Sequence, residues 1–275
     1  MDLVVFDLDG TLFNSEQKLS AYTKETLALL AKKKIAFTVA TGRTLHAAVP
    51  SFEGLHFPLP QVYKNGVLIW DPVSAKYSHG NFLTHQEVEG VLGVFDATGL
   101  SPFIMTVTPE NHQHIYHGPI HTAHGEKLLK KMQERPNASV HTWTGEPVEG
   151  VTNITTIGAK EPTEAIIERL RREKQLCAFY GPDMYKADHY WMDIHHIDAS
   201  KGGAIEMLKS EYGFKRVICF GDGDNDISMF QMSDECYAPE NADPEIKAMA
   251  TAVIGHHDQD GIAHFLRERF QLDDQ

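Results

Sequence analysis

The run Leu3-Val4-Val5-Phe6 is apolar at every position and passes straight into Asp7-Leu8-Asp9-Gly10-Thr11. A strand with one wet face would alternate. A continuous apolar run predicts a strand buried on both faces, as in a parallel sheet covered by helices. Tyr22, Leu27, Leu30 and Ala31 then recur at helical spacing, with Lys32, Lys33 and Lys34 where cations complement the helix dipole. Ile35 to Ala40 is a second apolar run, closed by Thr41-Gly42-Arg43. Strand, helix and strand with a crossover of this length predict a parallel βαβ unit.

The C-terminal part repeats the rhythm. Ser200 caps a predicted helix with the apolar face Ala204, Ile205 and Leu208, and Gly213 stops it. Arg216 to Phe220 reads as another buried strand, ending at Gly221-Asp222-Gly223-Asp224-Asn225-Asp226. Ala252 to Ile254 is a short strand before Gly255.

The middle has a different texture. Thr84 and Glu87 form a capping box before Val88, Val91, Leu92 and Phe95, and Gly99 closes that helix. Strand-like runs follow at Phe103 to Val107 and His114 to Tyr116, then a helix around His121 to Met132. A strand around Asn153 to Ile157, a helix from Pro162 to Lys174, and strands around Cys177 to Tyr180 and Tyr190 to Ile194 complete the pattern. Strands arriving in pairs between helices predict an α+β layer with an antiparallel sheet. The expected fold is therefore α/β: a Rossmann-like parallel-sheet core at 1–79 and 187–275, with an inserted α+β cap domain at 80–186. The crossings are expected near Ser78-His79-Gly80 and Gly181-Pro182-Asp183.

Composition narrows the function classes. The 275 residues fit about two domains at ~150 residues each. A 42% hydrophobic content is that of a globular chain. The formal net charge of −13 argues against a general nucleic-acid surface, which needs basic patches. Cys177, Cys219 and Cys236 are too scattered for a disulfide framework or a zinc site. No apolar stretch reaches 18 residues, so no membrane helix is expected. The short, acid-preceded N-terminal run does not read as a signal peptide, and the expected location is the cytoplasm. The oligomeric state is not legible.

Four short segments carry chemistry. Asp7 and Asp9 stand two residues apart at a strand end, where ligands bind in parallel α/β sheets. Alone they would read as a solvated acidic turn. Thr41-Gly42 offers a hydroxyl and an amide to a phosphate oxygen. Lys201 stands at a helix start against the dipole's preference, which hints at an anionic partner, although alone it would read as a solvent-exposed lysine. The acids after Phe220 crowd charge that a cation would relieve. An EF-hand reading fails, because its sixth and twelfth positions would be Ile227 and Ser233.

Together, and in this order, the four segments resemble those of the haloacid dehalogenase superfamily of phosphohydrolases. Asp7-Leu8-Asp9-Gly10-Thr11-Leu12 is similar to its first motif, Thr41-Gly42-Arg43 to its second, Lys201 to its third, and Gly221 to Asp226 to its fourth. The mixed insertion between the second and third motifs, and Asn65-Gly66 before it, resemble the Cof-type subgroup with a C2B cap. The resemblance implies that Asp7 is a nucleophile forming an aspartyl-phosphate, and that Asp9 is general acid and then base. It implies Mg²⁺ held by Asp7, the Asp9 carbonyl and Asp222. Leu8, Thr41, Gly42, Lys201 and Asn225 would hold the phosphoryl oxygens, with Asp226 and Arg43 supporting. It further implies hydrolysis of a small phosphorylated metabolite such as a sugar, cofactor or nucleotide phosphate. The alternatives are a phosphomutase and a non-catalytic phospho-ligand regulator. Ala238-Pro239-Glu240-Asn241-Ala242 departs from the subgroup's usual Ala-Met.

Specificity candidates in the insertion are Phe103, Met105, His114, Tyr116, Tyr185 and Trp191. His112, His114, His117, His121 and His124 lack a carboxylate or cysteine partner pattern and read as solvated or substrate-facing. His195-His196 and His256-His257 receive no role.

Overall fold

The computed structural model describes residues 1–52, 55, 57–108, 110, 112–183 and 186–273. The chain forms two compact units, one from 1–79 with 200–275 and one from 80–199. The first unit opens with β1 (Asp2–Phe6), α1 (Ala21–Lys32), β2 (Ala36–Val39), α2 (Leu45–Ala48), β3 (Gln61–Tyr63), β4 (Leu68–Asp71) and β5 (Lys76–Gly80). The second unit runs through α3 (His85–Phe95), β6 (Phe103–Val107), β7 (Gln113–His117), α4 (Ala123–Gln133) and β8 (Ala138–Thr142). It continues with β9 (Val151–Ala159), α5 (Lys160–Leu170), β10 (Leu176–Asp183) and β11 (Lys186–His196). The first unit then resumes with α6 (Lys201–Tyr212), β12 (Arg216–Phe220), α7 (Ile227–Met232), β13 (Glu235–Pro239), α8 (Pro244–Met249), β14 (Ala252–Ile254) and α9 (Gly261–Phe270).

The first unit holds a five-stranded, all-parallel sheet in the order β14-β13-β12-β1-β2. Leu3, Val4, Val5 and Phe6 are fully buried, as a central strand between two layers requires. Leu3 and Val5 pack with Ala204, Ile205 and Leu208 of α6. Strands β3, β4 and β5 form a separate three-stranded sheet, joined to the core by a parallel bridge between Ala40 and Val62. In α1 the Ser20 side chain accepts from the Thr23 amide as N-cap. The buried face there is Thr23, Thr26, Leu27 and Leu30, and Ala31 is exposed rather than part of the stripe.

The second unit is built on a six-stranded sheet, β10-β11-β9-β6-β7-β8, antiparallel except for the β7–β8 pair. Helices α3 and α5 bury Val91, Phe95, Ile166 and Leu170 against Ile104, Ile154, Met192 and Ile194. Met132 of α4 packs with Phe103, Met105 and Ile115, the alternate residues of the same strands. The Thr84–Glu87 capping box starts α3.

The return to the first unit comes later than the expected position 187. Gly181-Pro182-Asp183 does not cross between units but ends β10, with a register shift between Pro182 and Asp183. The physical reason lies in β11, where Met192 and Ile194 are core residues of the second unit. The last described backbone contact of that unit is Ala199 N–H to the His196 carbonyl, 3.0 Å. Strands β3, β4, β5, β8 and β13 have no counterpart in the sequence reading. They are three to five residues long.

Candidate active site

In the parallel sheet the chain builds outward from β1 to β2 on one side, and from β12 through β13 to β14 on the other. The order therefore reverses between β1 and β12, and ligands bind outside the carboxyl ends at such a point. Asp7 follows β1 there, and Gly221-Asp222 follows β12. The Asp7 amide donates to the Phe220 carbonyl at 2.9 Å, which ties the two strand ends together.

The turn after β1 lies against Asp222. Gly10 has φ +75°, and a β-carbon there would stand 2.2 Å from Asp222 Oδ2. Only glycine meets both conditions. The Thr11 hydroxyl donates to Asp222 Oδ1 at 2.7 Å.

Lys201 is the first residue of α6, whose N-cap Ser200 accepts from the Gly203 amide. Gly66, at φ +103°, would place a β-carbon 2.1 Å from the Ser200 carbonyl, so the turn after β3 packs directly on this helix start. Lys201 is 0% exposed. Its Nζ donates to Asp7 Oδ1 at 2.6 Å and to Asp226 Oδ1 at 2.7 Å. Asp226 Oδ2 accepts the amides of Asp222 and Gly223 at 2.9 and 3.1 Å. Both Asp226 oxygens are thus committed to holding the loop and the lysine. Asp7 Oδ2 and Asp222 Oδ2 accept no hydrogen bond among the described residues.

The electrostatics follow from burial and crowding. Burial pushes the Asp7 carboxyl well above the usual range, Lys201 opposes this, and the charges of Asp226 and Asp222 add to it. Burial likewise pushes Asp222 up to about 6, against the Thr11 hydrogen bond. Burial alone would lower Lys201, but the charges of Asp226 and Asp7 outweigh it and hold the ammonium above the ordinary lysine range. Three carboxylates whose oxygens lie within 4.8 Å of one another, with one ammonium, leave a formal charge of −3 + 1 = −2. A divalent cation offsets that charge, and hard carboxylate oxygens are the donors Mg²⁺ prefers.

A raised carboxyl pKa in the folded state means that metal-free stability is greatest when the group is protonated. For Asp222 that stability is present below about 4 and is lost as pH rises through about 6. Mg²⁺ competes with the same proton. The rise in melting temperature on adding Mg²⁺ to chelator-treated protein is therefore expected to be larger at about pH 8 than at about pH 5. Equal shifts in thermal melts at the two values would show that these carboxylates do not bind the ion.

Asp9 points elsewhere. Arg43 grips its carboxylate with Nε to Oδ2 at 2.7 Å and Nη2 to Oδ1 at 2.5 Å. The guanidinium also sits 5.1 Å from the centre of the Phe13 ring. Thr41 is buried, and its hydroxyl accepts the Arg43 amide at 3.1 Å. Asn225 reaches this side through Asn65, Nδ2 to Oδ1 at 3.0 Å, and Asn65 lies beside Gly42. Leu8 is buried, and its carbonyl accepts the Phe13 amide at 2.7 Å. The expected residues of the first unit thus gather at one sheet edge. Direct contacts join Asp7, Lys201 and Asp226, Asp9 pairs with Arg43, and Thr41, Gly42 and Asn225 meet around Asn65.

Three contributors carry no expected role in the sequence. Thr11 orients Asp222, and Asn65 links Thr41-Gly42 to Asn225. Asn241 donates Nδ2 to the Gly10 carbonyl at 2.6 Å. Thr11 sits inside the first motif, so its hydroxyl was the available signal. Asn65 and Asn241 act across more than 150 residues, as the Asn65–Asn225 separation of 160 illustrates; Asn65-Gly66 stands out in the sequence only through its resemblance to the subgroup, and nothing local names the partner of either asparagine.

Among the specificity candidates, Phe103 and Met105 are buried at 0% and 3% and belong to the core beneath α4 rather than to a binding surface. Tyr185 lies outside the described residues. Trp191 is exposed. His114 and Tyr116 line a cavity of about 440 Å³ in the second unit, with Thr106, Trp143 and Glu146. His114 Nδ1 and His141 Nε2 are 3.0 Å apart, and His112 bonds Ser139.

A family model of haloacid dehalogenase-like hydrolases matches residues 4–266. The chain belongs to this family. It is an enzyme of the hydrolase class, with the family's parallel-sheet fold. A 5-amino-6-(5-phospho-D-ribitylamino)uracil phosphatase of Bacillus subtilis is 24% identical over 274 residues, covering 98% of each chain. A pyridoxal phosphate phosphatase of Escherichia coli is 25% identical over 281 residues, covering 96% of this chain and 97% of its own. A solved haloacid dehalogenase-like hydrolase from Bacteroides thetaiotaomicron superposes with a TM-score of 0.74 at 23% identity, covering 98% and 99% of the two chains. No helix among the described residues is long and apolar enough to cross a membrane.

Proposed function

We propose that this haloacid dehalogenase-like hydrolase is a Mg²⁺-dependent phosphatase of a small phosphorylated metabolite. The carrying observation is the buried Lys201 joining Asp7 and Asp226 beside Asp222, at the sheet's reversal point. Relatives named as phosphatases of a ribitylamino-uracil phosphate and of pyridoxal phosphate support a compact, ring-bearing leaving group.

Asp7, Asp222 and the Asp9 carbonyl would hold the ion, which supplies charge neutralisation for the phosphoryl group. Asp226, whose Oδ2 accepts the Asp222 and Gly223 amides and whose Oδ1 accepts Lys201, would act as the support of the loop and of the metal site. In the proposed reaction an Asp7 oxygen attacks phosphorus and the bond to the leaving oxygen breaks. Asp9 gives that oxygen a proton. Asp9 then takes a proton from the water that attacks the aspartyl-phosphate, releasing inorganic phosphate and restoring Asp7. Because Arg43 occupies both Asp9 oxygens, this acid–base work requires the fork to release at least one. Lys201 has three N–H donors and uses two, leaving one for a phosphoryl oxygen. The Thr41 hydroxyl, the second Asn225 amide proton and the Leu8 and Gly42 amides complete the proposed cradle. The 80–199 unit is proposed to select the leaving group. Trp191, His114 and Tyr116 are its exposed or half-buried candidates.

Turnover of p-nitrophenyl phosphate and of a panel of sugar, nucleotide, pyridoxal and flavin phosphates tests this reading. Chelation is expected to abolish phosphate release and Mg²⁺ to restore it. Ca²⁺ should replace it poorly, because its larger shell misplaces nucleophile and phosphate. Isomerised sugar phosphate without free phosphate would indicate a mutase. Full activity in excess chelator would remove the metal from the account.

A further inference from the structure

Strand parity divides the candidates of the second unit. Alternate side chains of a strand point to opposite faces. Tyr116 pairs in register with Ile104, and His114 with Thr106, so both stand on the face that α3 and α5 cover. Trp191 is one step out of phase with Met192 of that core and stands on the other face. Helix α4 packs on this other face over β6, β7 and β8. Over β9, β11 and β10 the same face carries Thr155, Ile157, Trp191, Asp193 and Phe179, none of them fully buried. His195 is buried, so the open stretch ends at Asp193. We propose that Trp191 and Asp193 form the platform that selects the leaving group: the indole stacks on a flat ring, and Asp193 takes an N–H or ammonium donor carried by that ring. This rests on the phosphatase reading above.

Both groups are held in place. Trp191 pairs in register with Gly181 of β10. A β-carbon at Gly181 would stand 3.2 Å from the indole Nε1 and 3.3 Å from Cε2, so the missing side chain lets the indole settle on the neighbouring strand. Trp191 is still 42% exposed, which leaves ring surface for a partner. Asp193 follows two residues on, about 6.6 Å along the same strand face. Asn153 is 2% exposed and donates Nδ2 to Asp193 Oδ1. The Asn153 Oδ1 accepts the hydroxyl of buried Thr152 at 2.7 Å. An ionised carboxylate can only accept, so this chain of bonds runs in one direction. Asp193 Oδ2 accepts no hydrogen bond and pairs with no cation among the described residues. A fixed carboxylate oxygen beside an open aromatic ring recognises a donor, and a charged donor most strongly. A sugar offers donors without a flat face, and a plain aromatic ring offers the face without the donor. An amine-bearing ring offers both.

The direction of the bonds makes Asp193→Asn a reversal rather than a deletion. Asn153 still presents Nδ2, so the new amide must turn its oxygen there. Its NH2 then takes the place of Oδ2, and a donor on the ligand meets a donor.

Steady-state kinetics of the full-length protein with Mg²⁺ and four esters test this: benzyl, 4-(aminomethyl)benzyl, 4-nitrobenzyl and n-butyl phosphate. Comparing each variant with the parent cancels the esters' own reactivities. In Asp193→Asn the kcat/KM ratio of aminomethylbenzyl to benzyl should fall about ten- to a hundredfold, the scale of one charge-assisted hydrogen bond. The nitrobenzyl to benzyl ratio should rise. In Trp191→Ala the benzyl to butyl ratio should fall about tenfold, the scale of one aromatic stack. His141→Ala, beside Tyr116 on the other face, should leave every ratio unchanged. Trp191 and Asp193 are both part exposed, so both variants are expected to fold, and either one decides the matter if the other does not. An unchanged aminomethyl ratio in Asp193→Asn, an unchanged ring ratio in Trp191→Ala, or a shift in His141→Ala would each overturn the platform. Calorimetric titration with free 4-(aminomethyl)benzyl alcohol reads the platform without turnover, and Asp193→Asn should bind it about tenfold more weakly or worse. Absence of turnover with every ester would therefore sink the phosphatase reading, whereas equal binding by parent and Asp193→Asn would sink the platform.

Discussion

Asp7→Asn is expected to lose turnover by on the order of 10⁴–10⁶-fold, the scale of removing a covalent nucleophile. Substrate and Mg²⁺ binding should fall far less, because Lys201, Asp222 and the proposed cradle remain. The same substitution should leave the metal-free protein as stable as the parent or more so. Asp7 is a buried carboxylate whose ionisation is opposed by burial and by Asp226 and Asp222. An amide removes one like charge and keeps the shape. Such a gain in stability on losing function is the mark of a site strained for its chemistry. Steady-state kinetics and thermal melts in chelator check both halves. A large loss of stability together with retained activity would mean that Asp7 is structural.

Lys201→Ala should damage fold and function at once. The ammonium is fully buried and donates to two buried carboxylates. Its removal leaves Asp7 and Asp226 uncompensated, and breaking a buried ion pair from one side costs about 3–5 kcal/mol. Asp226 also holds the Asp222 and Gly223 amides, so the loop after β12 should loosen with it. The expected loss exceeds the one to two decades of a single charge-assisted phosphate contact at roughly 1.5–3 kcal/mol. Mg²⁺ should recover part of the melting temperature, because it supplies positive charge to the same acids. Denaturant unfolding with and without Mg²⁺ measures both effects. An unchanged midpoint would contradict the buried-pair reading.

The first unit was legible where burial on both faces leaves a simple trace. Leu3 to Phe6 and Arg216 to Phe220 announce central strands, and each runs into acids that, taken together with Thr41-Gly42 and Lys201, fit a strand end at a ligand site. Ser200 and Gly213 mark α6 through capping chemistry, and both appear in those roles. Less legible were features that depend on distant partners. Lys201 reads in the sequence as a cation at a helix start, and nothing local says that it is buried between two acids. Arg43 follows a phosphate-type motif, yet its guanidinium holds Asp9 across 34 residues. Asn65-Gly66 is legible only as a resemblance to the subgroup, and no local pattern tells that Asn65 meets Asn225 or that Asn241 meets Gly10. The later boundary of the second unit was misplaced because Gly181-Pro182-Asp183 has the chemistry of a crossing, while the core role of Met192 and Ile194 appears only once the sheet is assembled.

The central claim is that Asp7 becomes phosphorylated and that Asp9 handles the protons. The most direct measurement uses Asp9→Asn mixed with p-nitrophenyl phosphate and Mg²⁺ in a rapid acid quench. The trapped enzyme is reduced with borohydride and its peptides are weighed. Loss of the base for the attacking water should slow dephosphorylation by about 10²–10⁴-fold. A burst of p-nitrophenolate should therefore accompany homoserine at position 7. Homoserine at another acid, or a burst with no modified peptide, would contradict the mechanism.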